Sequence, residues 1–281
     1  MSAPATPSPS EPNAPRCQNC SAPLNGPYCA SCGQRDIEFK RDWKGLVGEY
    51  ASSFLNVDGK IPRGLFQILF RPGLSTKVFL DGKRSSQIPP LRLYLFASLI
   101  FFLWFTTSDT FQIVAPTEAE MAQLNEDARP GSSAEALSEK MQEKFQSPDA
   151  FIASVNTWLP RVFLLGVPTL ALATRIVFRK RGYVYLEHAI ISMHLQTFLL
   201  LWVLLVGILS DLLSIWNQTF SNYFWNVSIL WIQVYCVIAL KRIFELSWKR
   251  AIGSTLLLNL LFLLMFGGGL ALVLLISFYI G

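Results

Sequence analysis

Charge is scarce in this sequence. Asp, Glu, Lys and Arg supply 15% of its 281 residues, hydrophobic residues supply 52%, and the mean hydropathy is +0.37. That balance is wrong for a water-soluble domain and fits a multi-pass membrane protein. Histidine is rarer still: His188 and His194 are the only two. Catalytic signatures are missing as well. There is no phosphate-binding glycine loop, no H-E-x-x-H, and no soluble stretch large enough to house a Ser/His/Asp site. The residues therefore favour a protein that is not an enzyme. No cleavable signal peptide is legible, because the first fifteen residues have neither a basic start nor an apolar core.

A net charge of +5 invites a nucleic-acid reading, but the charges are distributed otherwise. Before Ile88 there are eleven Lys/Arg and seven Asp/Glu, whereas residues 108–157 hold nine Asp/Glu and three Lys/Arg. Alternation between consecutive segments is a signature of membrane topology. A nucleic-acid binder concentrates basic charge on one soluble face, so no nucleic-acid partner is expected.

What is present begins with cysteine. Four of the five cysteines form two C-x-x-C pairs, CQNC and CASC, and the fifth, Cys236, sits within an apolar run. This is metal spacing rather than a disulfide framework, and it places the N-terminus in a reducing compartment, the cytoplasm. Cys17, Cys20, Cys29 and Cys32 are the expected ligands of a closed, structural Zn²⁺ site in a ribbon over residues 16–35. Iron in a rubredoxin-like site and a redox dithiol remain open alternatives. Gly33 supplies a left-handed residue at the end of the second knuckle, and Asn25-Gly26 between the knuckles reads as a two-residue hairpin turn. So short a segment has no core, and metal binding must stabilise it, by roughly 10–16 kcal/mol in zinc-finger peptides. The five prolines of residues 1–15 mark a disordered tail.

Residues 36–90 carry two apolar stripes at helical spacing: Trp43, Leu46, Val47, Tyr50 and Phe54, then Leu65, Phe66, Leu69 and Phe70. Pro72-Gly73 fits the centre of a type II turn, and a short helix from Ser75 should end at Gly82. These helices are too short to cross a bilayer and read as interfacial helices on the cytoplasmic leaflet. Arg71, Lys77, Lys83, Arg84 and Arg92 are then candidate contacts for lipid headgroups, or merely enforce orientation.

Five apolar runs follow, at 91–107, 158–178, 187–209, 224–240 and 252–280. The fold class expected is an all-α membrane protein of five spans, residues 91–281, preceded by the ribbon and the interfacial helices. The connections 179–186 and 241–251 hold Arg179, Lys180, Arg181, Lys241, Arg242, Lys249 and Arg250, while 210–223 holds no Lys or Arg. The N-terminus therefore lies inside and the C-terminus outside, with 108–157 an acidic outer loop. Within that loop, Ser132 and Glu135 form a capping-box signature before a short helix that ends ahead of Pro148.

The third run is the most polar at its start and is the one around which the others should pack. Glu187 and His194 are seven residues apart on one helix face; His188, Ser192 and Gln196 recur every four on a neighbouring face. Such a set could bind a metal, relay protons or pair with Arg175, making Glu187, His188 and His194 weak catalytic candidates for chemistry on a lipid substrate. It could equally cap the helix and hydrogen-bond its neighbours. Gly166-Val167-Pro168 and the glycines 267–269 interrupt two runs, which is the pattern of a transporter of ions or small solutes. But no Asp or Glu lies at that depth and five spans do not divide into two equal repeats, so kinks and close helix packing are the favoured reading. Asn226 and Gln233 read as glue between helices.

Together the CQNC…CASCGQ ribbon, FRPG at 70–73, DGKR at 81–84 followed by PP at 89–90, and EH…H at 187–194 resemble a family of bacterial inner-membrane proteins catalogued as a domain of unknown function. The resemblance runs from Cys17 to about Leu209. Ser85, Ser86 and Gln87 stand where that family often has an aromatic. It implies the bacterial inner membrane and the zinc, and brings no mechanism. The function expected is a membrane protein with a cytoplasmic zinc ribbon as a docking or sensing module, its partners the lipid bilayer and a cytoplasmic protein.

Overall fold

The computed structural model describes residues 15–36, 61–108, 148–268 and 271. The Pro-rich tail before Pro15, the Trp43–Phe54 stripe, the Ser132–Phe145 helix, Gly269 and the last residues of the fifth run lie outside them. Among the described residues all regular structure beyond two isolated bridges is helical.

Among the described residues seven α-helices follow the ribbon: α1 (Ile61–Phe70), α2 (Leu74–Leu80), α3 (Pro90–Thr107), α4 (Pro148–Val177), α5 (Tyr185–Ser214), α6 (Gln218–Phe244) and α7 (Trp248–Phe262). Four are long and apolar enough to cross a membrane: α3, α5, α6, and α7 with its continuation to Gly267. The corresponding apolar stretch of α4 is shorter, Phe163–Val177. α4 nevertheless begins at Pro148, ten residues ahead of the apolar run, within the segment assigned to the outer loop. Likewise α5 runs on to Ser214 and α6 starts at Gln218, so the connection predicted over 210–223 shrinks to three residues. Polar residues at the ends of an apolar run do not stop a helix; hydrogen-bond capping does, and Asn217 supplies it by accepting from the Phe220 N–H at 3.1 Å.

α5 is the hub. It packs against α3, α4 and α6, and its first half also meets α1 and α2. Its contact with α3 is close at Gly207, where a β-carbon would collide with the Trp104 ring. α7 lies outside, against α6 and α4. Gly166-Val167-Pro168 does not break α4, which is continuous through it. Proline removes the donor to Leu164 O, one bond of the ladder, without ending the helix. Beside it side chains of α5 bind the α4 backbone, Ser192 donating to Val167 O at 3.0 Å and Tyr185 to Pro168 O at 3.3 Å. Near the middle of the fifth run the helix takes a π-helical turn at Leu263–Gly267. Gln233 does serve as glue, accepting from Asn259 of α7 at 2.6 Å, while Asn226 is exposed.

α1 and α2 do not simply lie on a lipid surface. They form a hairpin wedged into the ribbon-bearing end of the bundle. Gly73 has φ 68 and ψ 0, as the third residue of a type II turn requires, and Leu74 N–H donates to Arg71 O at 3.1 Å. The turn sits against α6 so tightly that a Gly73 β-carbon would come within 2.8 Å of Ala239 O. Glycine is thus required twice over, by backbone conformation and by space. Phe79 is wholly buried and Ile68 nearly so; burying each stabilises by roughly 1.5–3 kcal/mol. Hydrogen bonds fix the wedge further. Tyr235 donates to Ile68 O at 2.5 Å, Arg242 donates to Pro72 O, and Lys77 bridges Glu245 at 2.9 Å and Asp81 at 3.2 Å. α2 ends as predicted at Gly82, φ 88, with the paired bonds of a Schellman motif, Lys83 N–H to Val78 O and Gly82 N–H to Phe79 O, both 3.1 Å.

Candidate metal centre

The ribbon is two copies of one knuckle, twelve residues apart. In the first, Cys17 N–H donates to Ala22 O at 2.8 Å and Ser21 N–H to Cys17 O at 2.8 Å; in the second, Cys29 N–H donates to Gln34 O and Gly33 N–H to Cys29 O, both 2.8 Å. Each closes through a bridge, Arg16 with Pro23 and Tyr28 with Arg35. Each also needs one left-handed residue. Gly33 fills that place at φ 71, as expected, but its counterpart is Ser21 at φ 63, a position the sequence did not betray. The Asn25-Gly26 hairpin does not form. Gly26 is not left-handed, and both bridges close within their own knuckle rather than across it. The chain reverses because the knuckles face one another across the sulfurs, so no tight turn is needed.

All four Sγ atoms lie within 4.8 Å of one another, with Cys17···Cys32 at 3.6 Å and Cys20···Cys29 at 3.5 Å. Four sulfurs at ~2.3 Å from a central ion form a tetrahedron with edges of about 3.8 Å. The cluster therefore fits a metal ion, and Cys17, Cys20, Cys29 and Cys32 would hold it. Backbone N–H groups of Ala22 and Gln34 point at the sulfurs of Cys20 and Cys32, one in each knuckle. The four thiols share protons: the Gln34 N–H holds the Cys32 thiol below its ordinary value, while against the Ala22 N–H, burial and the neighbouring sulfurs push Cys20 up.

What the sequence did not reveal is the next contact outward. The side chain of Gln34, buried at the base of the second knuckle, grips the loop after α2. Its Nε2 donates to Gly82 O at 2.8 Å, and its Oε1 accepts from the N–H groups of Arg84 at 2.9 Å and Ser85 at 3.0 Å. Gln18, in the first knuckle, accepts from the Arg84 guanidinium at 3.3 Å and lies so close to Gly82 that a β-carbon there would collide with it. The DGKR segment is thus the seat of the ribbon. Of the headgroup candidates, Lys77 and Arg84 are engaged by protein groups, Arg92 is half-buried, and Arg71 and Lys83 are exposed. A Gln at 34 carried no signal in the sequence, since its partners lie 48 to 51 residues away.

The polar set on α5 disperses. Glu187 accepts from the Val184 N–H at 2.6 Å and is a helix cap. His194 shares a 3.0 Å hydrogen bond between its Nδ1 and Thr76 Oγ1 of α2 and meets the Phe79 ring edge-on. His188 is fully buried between the rings of Tyr183 and Phe244, and neither of its ring nitrogens has a hydrogen-bond partner among the described residues. Arg175, near enough to His188 to interact electrostatically, is the residue expected to pair with this set. Ser192 and Gln196 turn to α4, Gln196 beside Gly166. The arrangement joins helices; it does not converge on a reacting centre. Among the described residues the four cysteines are the one group of His, Cys, Asp and Glu placed to hold a metal.

No curated protein and no solved structure matches the chain. A family model described as a protein of unknown function, DUF3667, matches residues 58–102, which span the RPG turn, the GKR segment, the double proline and most of α3; the resemblance carried by those residues is to that family.

Proposed function

We propose that this protein is a non-enzymatic sensor or docking platform of the bacterial inner membrane, in which a cytoplasmic zinc ribbon is read out through the α1–α2 wedge. Five helices cross the bilayer, α4 included, with the ribbon inside and the C-terminus outside. Zinc is the metal that suits four thiolates in a closed site. The Lys/Arg-rich connections at the ribbon-bearing end support the orientation.

One observation carries this reading: an unbroken series of contacts leads from the sulfurs to the membrane helices. Cys32 is next but one to Gln34, Gln34 holds Gly82, Arg84 and Ser85, and the helix ending at Gly82 holds His194 and Glu245 through Thr76 and Lys77. A ribbon that folds only with metal loses its grip on DGKR when the metal leaves. The surface then uncovered on Gln18, Gln34 and residues 82–85 is where a cytoplasmic protein would dock or be released.

The test is metal analysis and affinity capture of the full-length protein and its Cys29→Ser variant, extracted in mild detergent. About one zinc per chain and a partner set that changes in the variant are expected. A wild type without bound metal, or identical partners for both forms, refutes the reading.

A further inference from the structure

We infer that a cleft between α4 and α7, at the ribbon-bearing end of the bundle, binds the headgroup of an anionic phospholipid. The cleft measures about 750 Å³ and is lined by Arg179, Lys180, Arg181 and Arg250, with Ile176 and Leu257 among its apolar walls. None of its lining residues is acidic. The three consecutive cations are held on a 3₁₀ turn that Gly182, at φ 74, reverses toward α5. They are brought to the opposite wall from Arg250, some seventy residues away in the chain. All four cations are exposed, and among the described residues no carboxylate lies within ion-pair distance of them. Arg181 is near enough to Glu245 to interact with it electrostatically.

Basic residues at the end of a span ordinarily do no more than fix its orientation. Two features go beyond that here. The charges line the rim of a concavity, and its walls are apolar. Gly253 leaves that wall open, since a β-carbon there would touch nothing. Below the rim, Ile176 and Leu257 are exposed and continue into the exposed Leu256, Leu260 and Leu263 on α7. A free phosphate would use the rim and leave the apolar wall wet; a phospholipid satisfies both, its phosphate among the cations and an acyl chain along α7. Basic pockets between membrane helices near a bilayer surface bind headgroups in this way. The inference concerns the α4–α7 side and stands whether or not the ribbon is a docking module.

The test titrates a fluorescent phosphatidylglycerol, and separately a fluorescent cardiolipin, into the full-length protein in neutral phosphatidylcholine nanodiscs. Binding is read by energy transfer from a donor dye placed at a cysteine introduced beside Lys249, by Trp248→Cys. Wild type should bind both in preference to labelled phosphatidylcholine. Removing a cation should weaken binding by about fivefold, so Arg179→Gln with Arg250→Gln should cost about 25-fold. Lys249→Gln, which removes an exposed cation outside the lining and so out of contact with a phosphate held in the cleft, should change binding less, by under about twofold. Gly253→Leu keeps every charge and fills the wall; it too should abolish the preference, which separates a shaped site from a merely basic surface. Equal losses for Lys249→Gln and Arg250→Gln, or unimpaired binding by Gly253→Leu, overturn the inference. Displacement of the lipid by millimolar inorganic phosphate as readily as by unlabelled phosphatidylglycerol would show an anion site and overturn it as well.

Discussion

Replacing Gln34 by Ala should undock the ribbon without emptying it. The side chain makes three hydrogen bonds to the loop after α2, at 2.8, 2.9 and 3.0 Å. At a net 0.5–1.5 kcal/mol each, they contribute about 2–4 kcal/mol to docking, a factor of about 30 to 1000 in the docked population. The backbone of Gln34 is untouched by the change. Its carbonyl still accepts from Cys29 and its N–H still faces the Cys32 sulfur, so metal content should stay that of the wild type. Hydrogen exchange read by mass spectrometry on peptides covering residues 82–86 is the assay. The amide of Ser85 should be protected in the wild-type protein and exchange about 30-fold faster or more in Gln34→Ala, while that of Arg84, which also donates to Gly82 O at 3.0 Å, should change less. Stripping the wild type with a chelator should reproduce the fast exchange. Unchanged protection at Ser85 in the variant, with metal retained, would refute the clamp; loss of metal together with protection would show that Gln34 acts inside the knuckle instead.

Ser21→Gly should tighten metal binding, because a left-handed backbone at φ 63 costs a side-chain-bearing residue roughly 1–2 kcal/mol that glycine is spared. A chelator competition that shows equal or weaker retention would contradict it. The Lys77–Glu245 bridge should help the α1–α2 wedge only while both groups are charged. Glu245 is held below its ordinary 4.5 by Lys77, so its contribution is present above that value and fades as pH falls through the lowered one; Lys77 is held above its ordinary 10.5 by Glu245, so its contribution is present below that value and fades as pH rises through the raised one. Thermal midpoints of wild type and Lys77→Met should therefore differ at neutral pH and converge in acid and in strong base. A difference that persists at both extremes would assign the effect of Lys77 to packing.

Local chemistry was legible in the residues themselves. Two C-x-x-C pairs implied facing knuckles, Pro72-Gly73 a type II turn, Gly82 the end of α2, Pro89-Pro90 the start of α3, and each long apolar run, over its described residues, a helix. All of these depend on neighbours within a few positions, where sterics and backbone hydrogen bonds allow few outcomes. The same local rules misled at Asn25-Gly26, where facing sulfurs replaced a turn; at Gly166-Val167-Pro168 the close packing expected is present, with Gly166 against Gln196 of α5, while α4 runs on without a break.

Only the tertiary structure decided which polar groups meet. Thr76 finds His194 across 118 residues and Lys77 finds Glu245 across 168, dispersing a set that looked like one site along α5. Gln34 finds Gly82, and Arg250 joins Arg179, by the same kind of encounter. Hydropathy determines that these helices lie side by side in an apolar medium, but not their rotation or neighbours. Those follow from the fit of particular side chains against particular backbones, as at Gly73 on Ala239 and Gly207 on Trp104.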